Sequence, residues 1–152
     1  MLKHYFTILS ICLLSFQCFA QSPFYSQVKF IKEETTTNSL TVEVIGFGKN
    51  QTKSEENCAY NLFMTIFFRG IPNSPSPSPL LGPDESVYFT ANQNYFKSFF
   101  RQKKYNSFIN SRNCLKIEKV NKRKQVTCRY KVNIPGIINE LKSSKLLKEY
   151  GF

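Results

Sequence analysis

Hydrophobic and polar positions alternate from Ser26 to Lys32, with Val28 and Phe30 on one side and Gln27 and Lys29 on the other. That is the period of a half-buried strand. The pattern returns over 40–47, where Leu40, Val42 and Val44 would face inward. Between the two runs "EETTTNS" is polar and includes Asn38, which predicts an antiparallel hairpin. Gly46 and Gly48 mark the end of the second strand as a place where the backbone bends or approaches a neighbour closely. The period then becomes helical over 52–68: Ala59, Leu62, Phe63 and Ile66 form one stripe, expected to lie on the sheet. Thr52 or Ser54 is the expected cap, with Glu55 and Glu56 near the positive end. Tyr60, Met64, Phe67 and Phe68 make this helix apolar all round, so a second cover is expected from the next helix.

That next helix is predicted from about Val87 to Phe108, capped by Asp84 or Ser86, with an aromatic face of Phe89, Tyr95, Phe96, Phe99 and Phe100 that reads as core. Two further strands, 114–120 and 125–133, flank "NKRK", with Leu115 and Ile117 expected to face Val126, Cys128, Tyr130 and Val132. This parity turns Cys114 outward and Cys128 inward, so a bridge between them requires a bulge or a shifted register. Pro135 opens a final helix in its first turn, with Ile137, Ile138 and Leu141 inward. Leu146 and Leu147 leave that stripe after Ser143 and Ser144, which predicts a break. The order of elements predicts an α+β fold of two layers, a small antiparallel sheet of about four strands with helices packed on one face.

The segment "RGIPNSPSPSPLLGPDES" interrupts the pattern, with five of the chain's seven prolines inside it. Neither half of the chain has enough periodic sequence to close a core alone, so residues 21–152 are expected to form one domain with a proline-rich loop at 70–85. Proline lowers the entropy cost of holding an exposed segment in one shape. Arg69 and Gly70 end the preceding helix, and Leu80 and Leu81 can pin the far end of the loop. Either the loop bridges a gap or it presents a recognition surface, for which Arg69, Asn73, Ser74, Ser76 and Ser78 are the candidates. Pro72 and Pro75 also make a minimal PxxP docking pattern.

Charge changes the picture next. The chain of 152 residues carries a formal net charge of +11. From Lys97 to Lys131 there are twelve Lys or Arg residues against one acid, Glu118. Lys119, Lys122, Arg123, Lys124, Arg129 and Lys131 cluster around one predicted hairpin, which would attract anionic lipid head groups, polymers, nucleic acid or acidic proteins. A solvated basic face is the plainer reading of the same residues.

Candidate chemistry is sparse. Lys3 and His4 precede an apolar run, Tyr5–Phe16, and Cys18-Phe19-Ala20 precedes Gln21, which reads as an export signal cleaved near Ala20. The run is shorter than the ~20 residues that cross a bilayer, so no membrane span is expected after cleavage; Gln17 argues against lipid modification of Cys18. Cleavage would remove His4, the only histidine, and with it Ser-His-Asp or Cys-His catalysis and histidine-ligated metals. Asp84 is the sole aspartate. Cys58, Cys114 and Cys128 would remain, allowing one disulfide of undetermined pairing, and no CxxC spacing supports a metal. "GFGK" lacks the spacing of a phosphate-binding P-loop. No cofactor is expected.

The stretch "TVEVIGFGKNQTKSEENCAYNLFM", a strand, Gly-x-Gly, a polar turn and a helix, resembles a group of small Gram-negative envelope domains. The group includes the N-terminal domain of flagellar assembly protein T and related lipoprotein domains. The closing "CRYKVNIPGIINELKSSKLLKEYGF" looks like them too, and "FRGIP" is similar to a segment of other secreted proteins. The resemblance implies a small α+β domain with an assembly or binding role and no catalysis, and it carries over no functional residue. The expectation is therefore a non-enzymatic periplasmic or secreted accessory module that binds an envelope protein, with outer-membrane association allowed. The alternative is an electrostatic binder of an anionic polymer or membrane surface through residues 97–131. An enzyme built on Cys58, Cys114, Asp84 or Glu85 would need an activated thiolate or paired carboxylates.

Overall fold

A computed structural model describes residues 27–34 and 38–147. The expected export signal lies outside the described residues. Strands β1 (Val28–Glu34) and β2 (Ser39–Gly48) pair antiparallel, as do β3 (Ile109–Val120) and β4 (Arg123–Asn133), and β2 pairs with β4 to give the order β1-β2-β4-β3. Helix α1 (Gln51–Phe68), the short α2 (Glu85–Ala91), α3 (Gln93–Arg101) and α4 (Ile134–Ser143) complete an α+β fold with the helices on one face of the sheet.

Alternation on β2 and β4 places Leu40, Val42 and Val44 beside Val126, Cys128, Tyr130 and Val132, all buried, and at the start of β2 Ser39 and Thr41 on the other face are buried as well. Helix α1 meets this surface through Ser54 and Cys58, which lie against the Lys124, Val44 and Val126 carbonyls. Its stripe of Ala59, Leu62, Phe63 and Ile66 is buried, with Phe63 turned to the aromatic layer beyond the helix rather than to the sheet. Its far side is covered by α3, through Phe63 and Phe67 against Phe99 at 5.4 and 5.5 Å between ring centroids. The second cover expected for α1 is therefore present, and only Tyr60 of its extra apolar residues remains exposed.

Gly46 sets the approach of helix to strand. A Cβ there would fall 2.6 Å from the Cys58 Sγ and inside contact distance of the Ser54 carbonyl, so glycine lets the first turns of α1 rest on β2 itself.

Several expectations are corrected. The cap of α1 is Asn50, whose side chain accepts from the Lys53 N–H at 2.9 Å; Ser54 is instead buried beneath the helix. The predicted helix from Val87 to Phe108 is three pieces. Asn92 ends α2, its amide donating back to the Tyr88 carbonyl at 3.1 Å, and Lys103, at φ 54, turns the chain from α3 into a short 3-10 turn over Lys104–Phe108. An asparagine that bonds to nearby backbone offers the chain an exit from the helix. Strand β3 starts at Ile109, five residues earlier than its hydrophobic pattern suggests. Leu115 and Ile117 do not join the core: each is 46% exposed, because α1 covers β2 and β4 and leaves this edge strand open. Pro135 does lie in the first turn of α4, with Ile137 and Leu141 buried, and the chain turns at Lys145 before Leu146 tucks back in.

Candidate functional site

The β3–β4 turn is tight. Asn121 and Lys122 have φ values of 46 and 65°, the pair of left-handed residues that a two-residue turn between right-twisted strands requires. It places Lys119 directly opposite Lys124 and Val120 opposite Arg123. Like charges facing each other across a ladder are unfavourable. Glu118, the one acid in this basic half, is already engaged by Lys116 at 2.8 Å and Gln125 at 3.4 Å. Among the described residues, no acid pairs with Lys119, Lys122 or Lys124.

The hairpin base is fastened to α1. Gly48 pairs with Lys124, and the buried Ser54 hydroxyl, with one proton for two carbonyls, lies 2.7 Å from that of Lys124 and 2.9 Å from that of Asn50. Lys49 and Lys53 are thereby brought to the same end of the molecule as the hairpin tip, where the first-turn N–H groups of an 18-residue helix add positive potential. The positive end continues into a cleft of about 430 Å³ lined by Lys53, Glu56, Arg101 and Lys103 over Tyr60 and Phe100. Glu56 bridges Lys53 (2.6 Å) and Lys103 (3.0 Å), and hydrogen bonds from both hold its carboxyl below the ordinary carboxylate range.

Of the candidates at the basic hairpin, Lys119, Lys122, Arg123 and Lys124 are together at the tip. Arg129 is not with them: it sits mid-strand, 3.4 Å from Glu43 on β2. Lys49 and Lys53 were missed because they belong to a part of the chain with balanced charge. Only the β2–β4 register reveals their position.

The proline loop is folded on itself. The Ile71 N–H donates to the Ser76 carbonyl (3.1 Å), the Ile71 carbonyl accepts from the Ser74 hydroxyl (2.7 Å), and that hydroxyl accepts from the Ser76 N–H (3.0 Å). Gly70, at φ +75, lies so close to the Pro77 carbonyl that no side chain would fit. Leu80 and Leu81 pin the far end through N–H bonds to the Ile66 and Phe67 carbonyls at 3.1 and 2.8 Å. Ser74 and Ser76 thus serve the loop itself, and Arg69 is tied to Glu85 at 3.0 Å. Asn73, at φ 60, lines with Pro72, Val28, Phe30 and Arg69 an open cleft of about 460 Å³ beside β1.

Comparison with family models, curated proteins and solved structures finds no match to this chain.

The three described cysteines resolve into a bridge and a thiol. Cys114 and Cys128 are joined, and the register shifts between Cys114 and Lys116, which is the irregularity that simple alternation lacks. Cys58 is buried between the Val44 and Val126 carbonyls, at 3.6 and 3.5 Å from its sulfur, and burial pushes its thiol from 9.0 up to about 12. Maleimide is expected to leave Cys58 unlabelled in the folded protein and to label it at once in denaturant; equal rates in both would place it at the surface. The same shift makes stability fall with alkaline pH. The unfolded thiol loses its proton first, so stability is full below pH 9 and declines as pH rises towards 12.

Proposed function

We propose that this chain is a non-enzymatic binding module of the cell envelope whose contact surface is the basic pole at the β3–β4 turn and the start of α1. The observation that carries the proposal is the convergence of Lys49, Lys53, Lys119, Lys122, Arg123 and Lys124 at one end, with Lys119 set against Lys124. Lys119 and Lys124 set face to face cost stability in the free protein, and an anionic partner relieves that repulsion. The absence of catalysis in this reading rests on the lone histidine at position 4 and on a Cys58 thiol that is buried and held protonated. A nucleophilic cysteine needs the opposite environment, exposed and with its thiolate stabilised.

Polyphosphate, a soluble polyanion, reads the electrostatics directly. Its association should weaken steeply with salt, and replacing Lys122, Arg123 and Lys124 together by Gln should lower the slope of log K against log salt by roughly two to three. Arg129→Gln, away from the pole, should leave the slope nearly unchanged. Equal slopes for the wild type and the triple variant would remove the pole as the contact surface.

A further inference from the structure

We infer that the anionic partner of this pole is a phospholipid bilayer surface, contacted by the free edge of β3 together with the hairpin tip. The inference rests on the reading of the pole as a contact surface and adds to it the residues of the adjoining edge. Strand β3 is the last described strand of the sheet, and its residues Leu115, Lys116, Ile117, Glu118, Lys119 and Val120 lead into the cationic turn, with the one acid, Glu118, neutralised by Lys116 at 2.8 Å. Leu115 and Ile117 are each 46% exposed. A polyanion in water satisfies the lysines and leaves the two aliphatic side chains wet. A bilayer interface takes both, head groups meeting the ammonium groups while the aliphatic chains sink to the acyl boundary.

Other occupants of this edge fit less well. Adding a strand from another protein requires a regular backbone edge, but the β3 register is broken between Ile109 and Ser111 and again between Cys114 and Lys116. Bulges and lysines are the devices by which edge strands resist such pairing. A second copy pairing β3 to β3 would bring Arg112, Lys116 and Lys119 against cations of the same edge. No helix among the described residues is long and apolar enough to cross a membrane, so the contact inferred is peripheral.

The test compares vesicles of phosphatidylcholine alone, the same vesicles containing phosphatidylglycerol, and soluble polyphosphate. The proteins are the wild type, a Lys122→Gln/Arg123→Gln/Lys124→Gln variant and a Leu115→Thr/Ile117→Thr variant, each checked by circular dichroism. Threonine keeps strand preference at exposed positions while removing apolar surface. The wild type should sediment with phosphatidylglycerol vesicles and not with phosphatidylcholine. The charge variant should lose roughly a hundred-fold in vesicle partitioning, at about a factor of five per cation, and should weaken on polyphosphate too. The Thr variant should lose roughly ten-fold on vesicles and nothing on polyphosphate. Vesicle binding by the Thr variant equal to wild type overturns the bilayer inference and leaves the electrostatic reading standing. Failure of the wild type to bind either anionic probe overturns both.

Discussion

Phe63→Ala is expected to lower the unfolding free energy by about 3–5 kcal/mol, the range for removing a large aromatic side chain from a packed interior. Phe63 is fully buried and lies where every layer meets. Its ring is 5.4 Å from Phe99 of α3, 5.7 Å from Tyr105 of the 3-10 turn and 6.0 Å from Phe67 on its own helix, while the other side of α1 rests on the sheet. Neighbours anchored on three separate elements cannot collapse together into the vacated space. Since a domain of this size is stable by about 5–15 kcal/mol, the variant should approach the edge of folding. Urea denaturation reads the effect as a lower midpoint at unchanged slope. A loss below about 1 kcal/mol would show that the aromatic cluster is loosely packed and not a shared keystone.

Gly46→Ala should cost about 3 kcal/mol although it adds a single methyl group. The added carbon would meet the Ser54 carbonyl, the Cys58 Sγ and the Cys58 backbone nitrogen, two of them main-chain atoms of a helix that cannot swing aside. Relief requires α1 to lift from β2 at its first turns. That movement would also pull Lys49 and Lys53 from the hairpin tip and lengthen the Ser54 contact to Lys124. Polyphosphate binding by the surviving folded fraction should therefore fall along with thermal stability. A variant with wild-type stability would mean that the helix has room to rise, and the role given to this glycine would be wrong.

The two-layer α+β plan was legible because β2 and β4 turn their apolar residues to one buried face and mostly polar ones to the other, and alternation records that difference. The helical period of α1 was legible too, and its being apolar all round marked the double cover that buries the whole run from Leu62 to Phe68. The failures share a cause: period counting assumes an unbroken backbone. Phe89, Phe96, Phe99 and Phe100 keep helical spacing across the break at Asn92, so a break imposed by one asparagine side chain left no mark on the pattern. Strand β3 is an edge with little cover, so its residues carry no burial alternation, and the bulge after Cys114 reverses the parity that had set Cys114 apart from Cys128. At the pole, "NKRK" announced the hairpin cations. The contribution of Lys49 and Lys53 depends on Gly48 pairing with Lys124, a long-range register that no local pattern encodes.

The Cys114–Cys128 bridge, spanning 14 positions within a single hairpin, also bears on how the chain acquires its cross-link. These two sulfurs are sequence neighbours by comparison with Cys58, and shorter loops close at lower entropic cost. In an oxidising compartment the hairpin can therefore lock before the rest of the chain has found its place. Docking of α1 then hides the remaining thiol, which removes the only described partner for a scrambled pairing. Among the three described cysteines, the short spacing of Cys114 and Cys128 and the burial of Cys58 both favour the one pairing observed.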